Sequence, residues 1–136
     1  MDCIYCGGET KVTNSRRQKR NNQIWRRRQC LVCGALFTTH EAIELESVLA
    51  LEVRGELKPF RPDLLLRDLM LALKGRQGAP EAAREVLATI VDKLLDLPQK
   101  PVFRPTDISR VASEVLKRFD WSAYLRYLAE HPSLDE

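Results

Sequence analysis

All four cysteines of this 136-residue chain fall within its first 33 positions, as Cys3-Ile-Tyr-Cys6 and Cys30-Leu-Val-Cys33, two CxxC pairs 23 residues apart. Each pair can form a turn that aims two thiolates at one point, and two such turns complete the tetrahedral four-sulfur shell that zinc favours. Gly7, Gly8 and Gly34 follow the second cysteines directly and permit the tight backbone of a knuckle whose amides point at sulfur. The first 40 residues hold only isolated apolar side chains such as Ile24, Trp25, Leu36 and Phe37, too few for a core, so a metal must hold the segment together. A redox CxxC usually occurs once, in a βαβ setting that this sequence lacks. With all four positions filled by thiolate, no site stays open for a catalytic water, and one structural zinc per chain is expected. His40 and His131 are not needed as ligands and are expected to be solvated side chains.

The net charge of +3 conceals an asymmetry. Residues 1–40 hold eight Lys or Arg against two acids, so the rest of the chain is mildly acidic. Seven of those eight cations (Arg16, Arg17, Lys19, Arg20, Arg26, Arg27 and Arg28) lie in 13 consecutive positions between the cysteine pairs, with Trp25 among them. A charge run is usually a solvated face, but so dense a cluster on a metal-stapled scaffold, with Trp25 among it, points to nucleic acid. In a three-stranded ribbon, Arg16 to Arg20 would form the loop between two strands, and Arg26 to Arg28 the strand leading into the second knuckle. Apolar runs are far shorter than the ~20 residues that cross a bilayer, and the amino terminus has no secretory pattern. A cytoplasmic protein with reduced cysteines and no membrane association is expected.

Beyond residue 43 the pattern changes twice. Val48, Leu49, Ala50, Leu51 and Val53, followed by Arg54-Gly55-Glu56, predict a β-hairpin from Glu44 to about Lys58. Four helices follow. The first starts at Pro62 with Leu65, Leu66, Leu69, Met70 and Leu73 on one face, and Gly75 and Gly78 end it. Pro80 opens the second, with Ala83, Val86, Leu87, Ile90, Val91 and Leu94 inward, closed by Pro98 and Pro101. The third begins near Pro105, capped by Thr106, with Ile108, Val111, Ala112, Val115, Leu116 and Phe119 inward. The fourth presents Trp121, Tyr124, Leu125 and Leu128 before Pro132. The fold class is α+β, a small zinc ribbon followed by a mainly helical domain with a short hairpin.

Several stretches resemble one family. Cys3-x-x-Cys6, Asn14-Ser15-Arg16, Arg26-Arg27-Arg28-Gln29-Cys30-Leu31-Val32-Cys33 and Phe37-Thr38-Thr39-x-Glu41 closely resemble the zinc ribbon of NrdR repressors, bacterial regulators of ribonucleotide reductase genes. This chain has Leu36 and Asn14 where that pattern usually has arginine and aspartate. The remainder is similar to the family's ATP-cone through Pro59-Phe60, Leu69 to Leu73 with Arg76, and Ala123-Tyr124-Leu125-Arg126-Tyr127. The resemblance implies a DNA-binding domain over 1–43, a nucleotide-sensing and oligomerisation domain over 44–132, and a tail over 133–136. It further implies ATP or dATP as regulatory ligand and a homo-oligomer. Arg54, Lys58, Arg76, Tyr124 and Arg126 are the expected nucleotide contacts. Where the family has a Val-x-Lys-Arg-type segment, this chain reads Leu51-Glu52-Val53-Arg54, and Gly75 replaces a lysine before Arg76. A glutamate beside a triphosphate repels it.

Two other classes compete with a nucleotide-responsive repressor. One is a zinc-ribbon adaptor whose helical domain docks proteins and no longer binds nucleotide. The other is an enzyme, disfavoured because the sequence offers no P-loop, no open metal position and no nucleophile–base arrangement.

Overall fold

The computed structural model describes residues 1–132, so the expected tail at 133–136 lies outside the described residues. The chain divides into two compact units, Met1–Ile43 and Glu44–Glu136.

The first unit is a single antiparallel sheet of β1 (Thr10–Gln18), β2 (Gln23–Cys30) and β3 (Leu36–Glu41), in that order. β1 and β2 form a long hairpin closed by residues 19–22, where Asn22 takes a left-handed backbone (φ 52°). A bulge interrupts their pairing: Val12 lies opposite Arg28 and Asn14 opposite Arg27, leaving Thr13 unpaired in the ladder. The Thr13 hydroxyl donates to the Arg27 carbonyl at 3.2 Å and pins the bulge in place. Arg16 and Arg17 therefore belong to β1 itself and not to the loop expected for them, because the hairpin continues pairing as far as Gln18.

The second unit opens with a helical turn, α1 (Leu45–Val48), where the sequence pattern predicts strand. The Ser47 hydroxyl closes that turn on the Glu44 carbonyl (2.8 Å), and Glu46 faces Arg61 (3.4 Å). The hairpin proper is β4 (Ala50–Val53) and β5 (Glu56–Pro59), joined by Arg54 and Gly55, both at positive φ (53° and 81°). Two such residues in sequence match the twist of a two-residue hairpin. α2 (Pro62–Ala72) and α3 (Ala79–Leu95) follow. The two-residue strand β6 (Val102–Phe103), which hydrophobic periodicity does not reveal, pairs parallel to β4 and places Phe103 in the core.

The last two helices are α4 (Pro105–Phe119) and α5 (Trp121–Glu130). Thr106 is not the cap of α4: the Arg104 amide donates to the Asp107 carboxylate at 2.9 Å across the first turn. α5 starts on Asp120, whose carboxylate accepts the Ala123 amide at 3.0 Å. The helices enclose a core that includes Phe60, Leu69, Leu73, Ile90, Leu94, Phe103 and Leu116. The inward face of α5 differs from its apolar pattern. Ala123 and Tyr127 are buried, whereas Trp121 and Leu125 stand largely in solvent. Met70 and Phe119, expected inward, are also exposed, lying at the margin of their helix faces. No helix among the described residues is long and apolar enough to cross a membrane.

Candidate metal centre and nucleic-acid interface

The two knuckles are built alike. Gly7 and Gly34, each directly after a second cysteine, adopt left-handed φ of 73° and 74° and donate their amides to the carbonyls of Cys3 and Cys30. The Tyr5 amide points at Cys3 Sγ (3.4 Å), and the Val32 amide at Cys30 Sγ (3.3 Å). Gly8 serves a different need. A Cβ there would lie 2.7 Å from Val32 Cγ2, so glycine is what lets the first knuckle approach the second.

That approach brings the four sulfurs within 4.8 Å of one another, with Cys3–Cys33 at 3.7 Å and Cys6–Cys30 at 3.5 Å. Four sulfurs about 2.3 Å from a central zinc stand roughly 3.8 Å apart, so the cluster fits the ion the spacing implies. The thiols bias one another's titration. Cys30 is held down to about 6, chiefly by the Cys33 amide and then, against burial, by the Val32 amide and the Cys6 and Cys33 thiols. At Cys33 the Ala35 amide acts to lower the value, but partial desolvation at the cluster and the thiols of Cys30, Cys6 and Cys3 outweigh it and push the group up to about 11. Four sulfurs this close cannot all become thiolates without a cation among them, which is what a bound zinc supplies. Cys3 and Cys30 are buried, Cys6 and Cys33 exposed.

The cations of the ribbon are held to different degrees. Arg17 is exposed on β1, and Lys19 and Arg20 are exposed at the hairpin tip. Arg16 lies over Trp25, 5.8 Å from the ring centroid. Arg26 is ion-paired with Glu41 at 2.5 Å. Arg27 donates to the Thr38 hydroxyl at 3.0 Å. Arg28 donates to Thr10 at 3.3 Å, and its Nε is buried without a partner among the described residues. Residue pattern did not reveal Thr38, Thr10 or Glu41 as partners, because cross-strand register is not written in local spacing. His40 is exposed on β3 as expected. His131 is not a free tail residue: it stacks on Tyr127 (centroids 4.1 Å apart), its Nδ1 lies 2.9 Å from the Tyr127 carbonyl, and its Nε2 lies 3.8 Å from Asp68.

The expected nucleotide residues lie in separate surroundings. Arg54 lines a recess of about 370 Å³ with Glu52, Arg104 and Thr106. Arg126 lines another of about 590 Å³ between α2 and α5, with Arg67, Lys74 and His131, and also donates to the carbonyls of Ala72 and Lys74 at 3.0 Å. Arg76 pairs with Asp120 at 2.8 Å and stacks on Phe119. Tyr124 packs on Trp121 with Lys117 over its ring, and Lys58 is exposed on β5 opposite Leu51.

A four-cysteine ribbon preceding a mainly helical α+β unit defines a protein of the zinc-ribbon class. A family model described as the N-terminal domain of transcriptional repressor NrdR-like proteins matches residues 1–41. Transcriptional repressor NrdR of Thermus thermophilus is 35% identical over 136 residues, covering 99% of this chain and 86% of the relative. The proteins of that name from Persephonella marina (36% identical, 93% and 84% covered) and Xanthobacter autotrophicus (35%, 100% and 75%) are similar over comparable spans. The chain belongs to the NrdR family of transcriptional repressors.

Proposed function

We propose that this protein is a cytoplasmic, non-enzymatic repressor of ribonucleotide reductase genes whose zinc ribbon binds a double-stranded DNA operator. In this reading the 44–132 region is an ATP-cone that takes ATP or dATP and thereby changes the oligomeric state. The observation that carries the DNA half is a four-cysteine sheet bearing Arg16, Arg17, Lys19, Arg20, Arg26, Arg27 and Arg28 in a chain of repressor family. Cationic ribbons bind phosphate, and one small ribbon gains from being tethered to others in a homo-oligomer. A nucleotide that contacts two assemblies differently shifts the balance between them, which gives ATP and dATP a route to the operator. The nucleotide contacts in this reading are Arg54, Lys58, Arg76, Tyr124 and Arg126.

A second reading, an adaptor whose helical unit docks proteins without nucleotide, is favoured by the surroundings of three of those cations. Arg76 is already neutralised by Asp120, Arg126 is committed to backbone carbonyls, and Glu52 lines the same recess as Arg54. Calorimetric titration with ATP and dATP, followed by size-exclusion of each loaded form, separates the two. The repressor reading expects heat of binding and profiles that differ between nucleotide-free, ATP-loaded and dATP-loaded protein. Identical profiles and no heat at millimolar nucleotide would overturn the nucleotide half of the repressor reading and favour the adaptor.

A further inference from the structure

Strand register divides the ribbon's arginines between its two faces. Residues paired across neighbouring strands project to the same side of a sheet, and consecutive residues of one strand to opposite sides. Arg26, between Ser15 and Thr39, therefore shares a face with Arg28, between Val12 and Phe37, and with the exposed Arg17 opposite Ile24. On the other face Trp25 lies between Arg16 and His40, and Arg27 between Asn14 and Thr38.

The faces are chemically unlike. The first carries the acid Glu41, which holds Arg26, and it half-buries Arg28 between Val12 and Phe37 with its Nε sealed from solvent. Guanidiniums so engaged brace the sheet. On the second face the strand residues include no acid: Arg27 is half-buried like Arg26 and Arg28, but its partner is the neutral Thr38 hydroxyl, and the exposed Arg16 lies over the Trp25 ring. A side chain that reads a base must have a fixed direction and free donors, whereas one that touches phosphate needs only charge. Arginine bonds the O6 and N7 of guanine as a fork, an asparagine amide is the matching group for adenine, and the major groove is wide enough for a β-ribbon.

We infer that the face bearing Asn14, Arg16, Trp25 and Arg27 enters the groove and selects the DNA sequence, with Arg27 as the principal base reader, while Arg26 and Arg28 brace the ribbon. The inference rests on the DNA-binding reading above and assigns, within it, which cations select. To test it, full-length zinc-loaded protein selects duplexes from a random pool. Wild type, Arg16→Lys, Arg27→Lys, Arg26→Lys and Arg28→Lys are then compared on the selected duplex and a shuffled one. Lysine keeps the charge and loses the fork, so Arg27→Lys lowers the preference for the selected duplex roughly tenfold to a hundredfold, the loss falling mainly on the selected duplex and much less on the shuffled one. Arg16→Lys lowers the preference by a smaller factor, and Arg26→Lys leaves it within about twofold. Zinc content and circular dichroism confirm that each variant is folded. If Arg26→Lys or Arg28→Lys erases the preference in folded protein while Arg27→Lys retains it, the face assignment is overturned and DNA binding stands. If wild type binds every duplex alike, or none, sequence-selective DNA binding falls and the assignment with it.

Discussion

Among the described residues of the ribbon, only Cys3 and Cys30 are buried, while the helical unit encloses a continuous apolar cluster from Leu49 to Tyr127. The ribbon's strands are correspondingly rich in arginine, and the helices give their inward faces to leucine, valine and isoleucine. A short segment cannot bury enough apolar surface to offset chain entropy, so it folds only if something other than a core joins its ends. Convergence of four sulfurs does this at one end of the sheet, and the strands are thereby released from inward packing. Charge can then occupy both faces. In the helical unit the same freedom exists only on the outer faces, where its ion pairs lie.

The contrast predicts that the two units fail separately. Cys30→Ser, or removal of zinc by a chelator, takes away a binding energy on the order of 10 kcal/mol and unfolds the ribbon. The helical signal in circular dichroism should persist, and its loss together with the ribbon would show that the units depend on each other. Leu69→Ala acts in reverse. It empties space at a fully buried position of α2 and should cost about 2–5 kcal/mol in urea unfolding, with zinc content unaltered.

The smallest effect concerns Asp120. The Ala123 amide first, and the Arg76 guanidinium next, hold its carboxyl below the usual carboxylate range. A depressed value stabilises the folded form above about pH 3.9, the unfolded value, and that stability is lost as pH falls through the folded one. Asp120→Asn keeps the helix cap and removes the charge, so the variant should be weaker by roughly 0.5 kcal/mol near neutrality. The gap should close on acidification. A gap that persists undiminished in acid would place the loss in the cap and not in the charge.

Legibility followed the same divide. The cysteine spacing reports the sulfur cluster directly, because two-residue gaps in a knuckle fix where the side chains point. The helices of the second unit announce themselves through period and proline, since Pro62, Pro80 and Pro105 all stand in a first turn. What escaped was set by tertiary partners. β6 is too short to have a period and exists because β4 offers it an edge. On α5 the expected face is half right: Tyr124 packs against the core beside the buried Ala123 and Tyr127, whereas Trp121 and Leu125 stand exposed. The partners of Arg26 and Arg27 lie on β3 and are visible only once the register is known.

Register gives the Thr13 bulge a significance beyond local shape. A strand is a counter with two states, and each residue added to it exchanges up for down in everything that follows. By standing outside the count, Thr13 reverses the phase of Asn14 to Gln18 relative to Val12. In an unbroken strand of the same length Arg16 would oppose Ile24, back to back with Trp25 and Arg27, and the two arginines would be separated by the thickness of the sheet. The bulge, at which one side chain bonds a carbonyl across the hairpin, thus sets Arg16 and Arg27 on the same face. In a ribbon of this kind, changes in strand length alter chemistry more abruptly than substitutions do, since a single slip transfers a whole row of charges to the opposite surface.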